Sequence, residues 1–238
     1  MLPDTIRWDI GLTKIDTPVV IINLKTYQQA TGEKAVLLAQ ACERVSNEYD
    51  VPIVVAPQIA DIYRVVKAVE IPVFSQHMDA GEPGRFTGHT LGETIVEAGA
   101  AGTLLNHSEK RMQIADIEAS IDKSNALHLY TVVCTNNILV SVAAATMKPW
   151  AVAVEPPELI GSGISVSQAQ PEIISGTVEK IRAVNKDVVI LCGAGISNGD
   201  DVKAAIKLGA QGVLLASAVA KSPKPEDVLA DLVTPLSK

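Results

Sequence analysis

Apolar residues in this chain follow two alternating patterns. Short runs that are apolar at nearly every position fall at residues 19–23 (VVIIN), 51–56 (VPIVVA), 72–76 (PVFSQ) and 102–106 (GTLLN), and continue at 128–133 (HLYTVV), 151–154 (AVAV), 188–192 (VVILC) and 212–215 (GVLL). A run without polar alternation marks a strand buried on both faces. The longer segments between them, rich in Ala, Glu and Lys, carry apolar residues at helical spacing and predict helices over 32–48, 59–69, 88–98, 116–125, 136–144, 171–184, 199–208 and 226–236. Thr87 reads as an N-cap, and Gly99 and Gly209 read as C-caps.

Eight strand-then-helix units in 238 residues predict an α/β chain folded as a single (β/α)8 barrel. The competing architecture, a doubly wound open sheet, normally carries a Gly-rich first turn with an acidic residue downstream, and that pattern is missing. Residues 1–17 show no strong period. They read as a leader of uncertain order, either a tail or a segment packed under the barrel, with the catalytic barrel spanning 18–238.

Composition narrows the picture. Aromatic residues make up only 3% of a chain that is 47% hydrophobic, so the core is built from aliphatic side chains and Ala, as parallel strands under helices require. The formal charge of −7 supplies no basic field for nucleic acid or an anionic membrane, so neither is expected as a partner. No apolar stretch reaches the ~18 residues that span a bilayer. Cys42, Cys134 and Cys192 are odd in number and far apart, which reads as reduced, buried thiols in a cytoplasmic protein.

In such a barrel the chemistry sits at the C-terminal ends of the strands. Those ends carry Asn23 and Lys25 after the first strand and Gln76 and His77 after the third. His107 and Glu109 follow the fourth, and Glu155 the sixth. Lys, His and Glu thus meet on one rim, although any one alone reads equally well as structural. A carboxylate beside apolar strands loses solvation and becomes a usable base, which is the reading of Glu155. His107 reads as the first residue of the helix after strand four, where the helix dipole keeps the imidazole neutral. Lys25 supplies a fixed positive charge.

Small or Gly-rich segments after strands six to eight, LIGSG (159–163), GAG (193–195) and Ala216-Ser217, can aim N–H groups at a phosphate, the last from the start of a short helix. Residues 155–163, with prolines at one end and glycines at the other, read as a hinged lid. His77, His89 and His128 show no metal-ligand spacing, and no metal site is expected.

Five motifs occur in order: NLKTY (23–27), GTLLNHSEKRM (102–112), VAVEPPELIGSG (152–163), LCGAGIS (191–197) and LLASAV (214–219). With them the chain resembles the triosephosphate isomerase family in its shorter, archaeal-type form. The resemblance implies a barrel with a trimmed helical shell and interconversion of dihydroxyacetone phosphate and D-glyceraldehyde 3-phosphate, in glycolysis and gluconeogenesis, without cofactor or metal. It further implies Glu155 as base, His107 as neutral electrophile, Lys25 as partner of the oxyanion with Glu109 beside it, and Asn23 as a substrate contact. Ile160, Gly161, Gly195, Ala216 and Ser217 would hold the phosphate, and the assembly would be a homo-oligomer, a tetramer more than a dimer. Two other readings are another phosphate-binding barrel enzyme, which would need a different rim set, and a barrel that has lost catalysis, which would lack one of the rim residues or the lid.

Overall fold

The computed structural model describes residues 14–156, 159 and 169–237. Eight parallel strands form the sheet: β1 (Val19–Asn23), β2 (Ile53–Ala56), β3 (Phe74–Ser75), β4 (Gly102–Leu105), β5 (Tyr130–Thr135), β6 (Ala151–Val154), β7 (Val189–Cys192) and β8 (Gly212–Leu215). Each pairs in parallel with its neighbour, β1 also pairs with β8, and an isolated Val55–Val73 bridge joins β2 to the entry of β3 and closes the cylinder. This is the (β/α)8 barrel.

Between the strands run α1 (Glu33–Tyr49), α2 (Ile62–Val66), α3 (Gly92–Glu97), α4 (Ile114–Ala126) and α5 (Ile138–Thr146), followed by α6 (Pro171–Val184), α7 (Gly199–Lys207), α8 (Ser217–Ala220) and α9 (Pro225–Val233).

Alternation along each strand divides the core in two. Val19 and Ile21 of β1 point into the barrel with Val54, Leu104, Val132, Leu191 and Leu214, whereas Val20 and Ile22 point outward against the helices. The N-terminal mouth is plugged by Phe74, Tyr130 and Trp150, with ring centroids 5.0–6.3 Å apart. Ile15, from the last part of the leader, joins that cluster; residues 1–13 lie outside the described residues.

Several boundaries differ from the sequence expectation. The segment expected as one helix over 59–69 is a 3-10 turn (Ile59–Asp61) followed by the short α2. The helix expected from residue 88 begins at Gly92, and Thr87 is not its N-cap: Leu91 holds that position. Asp79 is responsible, because its N–H donates to the Thr90 carbonyl (2.8 Å) and its carboxylate accepts the Thr90 N–H (2.7 Å), pairing the loop with itself up to the helix start. Gly99 and Gly209 do follow their helices with φ of +88° and +97°, as C-terminal caps require. All three cysteines are buried and free. Among the described residues no helix is long and apolar enough to cross a membrane.

Candidate active site

Strand alternation delivers three of the expected residues directly. Ala151 and Ala153 face the barrel interior, so Glu155, two residues on, rises into the mouth on the same side. By the same parity Asn23 and Lys25 follow Val19 and Ile21. These residues and His107 line one cleft of about 290 Å³ at the C-terminal ends of the strands.

Lys25 is held in an unusual backbone state, with φ +46°. The Asn23 Oδ1 accepts the Lys25 N–H (2.9 Å), and the Gln76 amide donates to both the Lys25 and Ala56 carbonyls at 2.9 Å. The Lys25 ammonium donates to Glu109 Oε1 at 2.8 Å. The lysine side chain is 12% exposed against 60% for Glu109, so the carboxylate anchors the cation from the solvent side and leaves its charge over the cleft.

His107 does not open a helix. It sits in a turn closed by the Lys110 N–H on its carbonyl (2.8 Å), and α4 begins only at Ile114. The imidazole is nevertheless neutral: burial, seconded by the charge of Lys25, pushes its pKa from 6.5 down to about 4. The Glu109 N–H donates to His107 Nδ1 (3.2 Å), so Nδ1 is the acceptor nitrogen and Nε2 carries the proton. Nε2 itself is 3.9 Å from Glu155 Oε1.

Glu155 is buried, and among the described residues its Oε2 has no hydrogen-bond partner. Burial raises its pKa from 4.5 to about 7, against smaller opposing pulls from the Cys134 thiol and Lys25. A free carboxylate oxygen poised near neutrality beside a neutral N–H donor can work as a base–electrophile pair. In ligand-free protein, carbon NMR of the Glu155 carboxyl should titrate near pH 7, and kcat/KM should fall as pH drops below that value; titration near 4.5 would refute this reading.

The residue that makes room for this carboxylate was read from sequence only as part of a phosphate loop. A Cβ on Gly193 would overlap Glu155 Cγ and lie 3.0 Å from its Cδ and Oε1. Gly193→Ala should therefore displace the carboxylate and lower kcat by about ten- to a hundredfold, with little change in melting temperature. Unchanged kcat in the folded variant would show that Glu155 does not need this space.

Gly195, Ala216 and Ser217 line the same cleft. Ile160 and Gly161, and residues 157–158 and 160–163 of the expected lid, lie outside the described residues. Sequence reading missed Tyr27 and Lys221, which also line the cleft, with the Lys221 ammonium 5.5 Å above the Tyr27 ring. Lys221 stands four residues after Ser217, one helical turn on, and that spacing was the available signal. Among the described residues no cluster of His, Cys, Asp and Glu is arranged to hold a metal ion.

A family model described as triosephosphate isomerase matches residues 18–234. The chain is 57% identical over 219 residues to the triosephosphate isomerase of Methanothermobacter thermautotrophicus, covering 92% of this chain and 96% of the relative. It is 54% identical over 217 residues to that of Methanosarcina acetivorans (91% and 98%) and 53% over 215 residues to that of Methanocaldococcus jannaschii (90% and 98%).

Proposed function

The chain belongs to the triosephosphate isomerase family and interconverts dihydroxyacetone phosphate and D-glyceraldehyde 3-phosphate; from that premise we propose that Glu155, His107 and Lys25 carry the reaction. The Glu155 carboxylate removes a proton from the carbon beside the substrate carbonyl. The His107 Nε2–H donates to the carbonyl oxygen as negative charge develops there and passes its proton to that oxygen while taking up the proton of the neighbouring hydroxyl, and the Glu155 carboxyl returns its proton to the former carbonyl carbon, which leaves both side chains as they began. No proton or electron is gained overall. This family is itself the standard illustration of a glutamate base working with a neutral histidine. Lys25 opposes the oxyanion charge, Glu109 keeps the ammonium in place, and Asn23 holds the Lys25 turn while facing substrate.

The single observation that carries the assignment is the 3.9 Å approach of the protonated His107 nitrogen to the buried Glu155 carboxylate. Gly195, Ala216 and Ser217 of the cleft hold the phosphate, and Lys221 adds a positive charge beside them. Activity on D-glyceraldehyde 3-phosphate, coupled to a dehydrogenase that consumes dihydroxyacetone phosphate, is the direct test. A folded protein without turnover would sink the assignment.

The proposal extends to a homotetramer acting in the cytoplasm. Ile114 on α4 and Leu139 on α5, 66% and 75% exposed, offer apolar surface for subunit contacts, and three unpaired buried thiols suit a reducing compartment. Light scattering should give four times the 25.1 kDa chain mass; a dimer mass would exclude the tetramer.

A further inference from the structure

The turn that delivers His107 to the cleft is made by a residue that strand alternation would have treated otherwise. In β4, Leu104 faces the barrel interior and Leu105 the helices. Continued extension would send Asn106 inward and His107 outward. Instead Asn106 adopts φ +57°, a left-handed state that Asn tolerates better than most residues, and the chain turns so that His107 lines the cleft.

Every polar group of this buried asparagine is engaged. Its side-chain amide donates to the Cys134 carbonyl (2.9 Å), and its Oδ1 accepts the Met112 N–H (3.0 Å). Its own carbonyl accepts from Arg111 Nη1 (2.9 Å), and its N–H points at the Met112 sulfur (3.3 Å). The bond to Cys134 has a particular meaning. The β4–β5 ladder pairs Leu105 with Val133, and the next rung of a parallel ladder would bring a backbone N–H from β4 to the Cys134 carbonyl. The Asn106 amide takes that carbonyl, so the chain leaves the strand while its rim stays attached. One residue further along β5, the Thr135 carbonyl accepts the Glu155 N–H at 2.7 Å. Consecutive carbonyls of one strand end therefore hold the His107 turn and the Glu155 backbone.

We propose that Asn106 is a positioning residue for the isomerisation: its left-handed turn and its amide bond to the Cys134 carbonyl set the placement of the His107 imidazole against the Glu155 carboxylate. The inference rests on the roles given above to His107 and Glu155. Asn106 acts through them and does not touch substrate.

Asn106→Gly keeps the turn and removes the amide. Asn106→Asp keeps the acceptor for Met112 but sets a carboxylate oxygen against the Cys134 carbonyl. For both variants kcat, KM and the melting curve are to be measured with D-glyceraldehyde 3-phosphate. The glycine variant should fold and lose about tenfold in kcat, with KM within about a factor of two, and the aspartate variant should lose more. A purely structural asparagine would lower the melting temperature and leave kcat of the folded protein unchanged. A folded glycine variant with the parental kcat overturns the proposal. If the aspartate variant does not fold, the glycine variant decides alone. A folded parent that turns over no triose phosphate overturns the assignment of His107 and Glu155 instead, so the two failures are distinct.

Discussion

Glu155→Asp should fold as the parent does and lose about a hundredfold in kcat, because one methylene fewer draws the carboxylate back from the proton it must take by more than an ångström. The neighbouring residues cannot follow it: the Glu155 N–H is fixed on the Thr135 carbonyl at 2.7 Å and Gly193 packs directly on the side chain. Glu155→Gln removes the base altogether, with an expected loss of about 10²–10⁴-fold.

The same glutamine variant should be more stable than the parent in alkaline solution. Burial raises the folded-state pKa of Glu155 from 4.5 to about 7, so the ionised form is the costly one. That cost is absent below about pH 4.5, grows as pH rises through the interval, and is complete above about 7. Replacing the carboxylate with a neutral amide should therefore raise the melting temperature at pH 8 and leave it near the parental value at pH 4.5. The gain is bounded at about 3 kcal/mol by the separation of the two pKa values. A variant equally stable at both pH values would mean that Glu155 carries no buried-charge penalty. Loss of kcat combined with gain of stability is the signature of a group kept for chemistry at the expense of the fold.

His107→Gln should lower kcat by about 10²–10³-fold, the cost of removing one preorganised donor aimed at a developing oxyanion. KM should change far less, because the donor matters most once charge has formed. The pH dependence separates a neutral imidazole from a cationic one. With a pKa near 4, the parent His107 is uncharged throughout the working range, and its contribution should be constant from pH 6 to 9. If the imidazolium were the acid, the ratio of parental to variant kcat would collapse as pH rises above about 4. Burial is the main cause of that low pKa and Lys25 the second, so Lys25→Met should move the His107 titration upward in proton NMR.

Much of this protein was legible in its residues. Strands apolar at nearly every position announce a sheet covered on both faces, and eight repeats of the unit leave one economical closure. Glu155 could be placed by counting, since it continues the inward side of Ala151 and Ala153. The bounds of β1, β6 and β8 agree with the expected runs because their ends are marked by polar residues or glycine. Where the reading slipped, a distant contact had overridden a local preference. Thr87 is a good N-cap by type, but the Asp79–Thr90 pairing delays α3 to Gly92. His107 resembles a helix opener, but Asn106 turns the chain first and α4 waits until Ile114.

The sequence by itself determined the class of fold, the rim on which the chemistry sits, and which residue types meet there, because burial pattern and strand parity are properties of neighbouring positions. Only the tertiary structure decided how those groups behave. Lys25 and Glu109 meet across 84 residues of chain, Gly193 makes room for a side chain 38 residues earlier in sequence, and the Glu109 N–H selects the His107 tautomer. Protonation states follow from desolvation and from charges brought close by folding, and both depend on three-dimensional distance. That is why Glu155 is raised to about 7 and His107 lowered to about 4 within the same cleft.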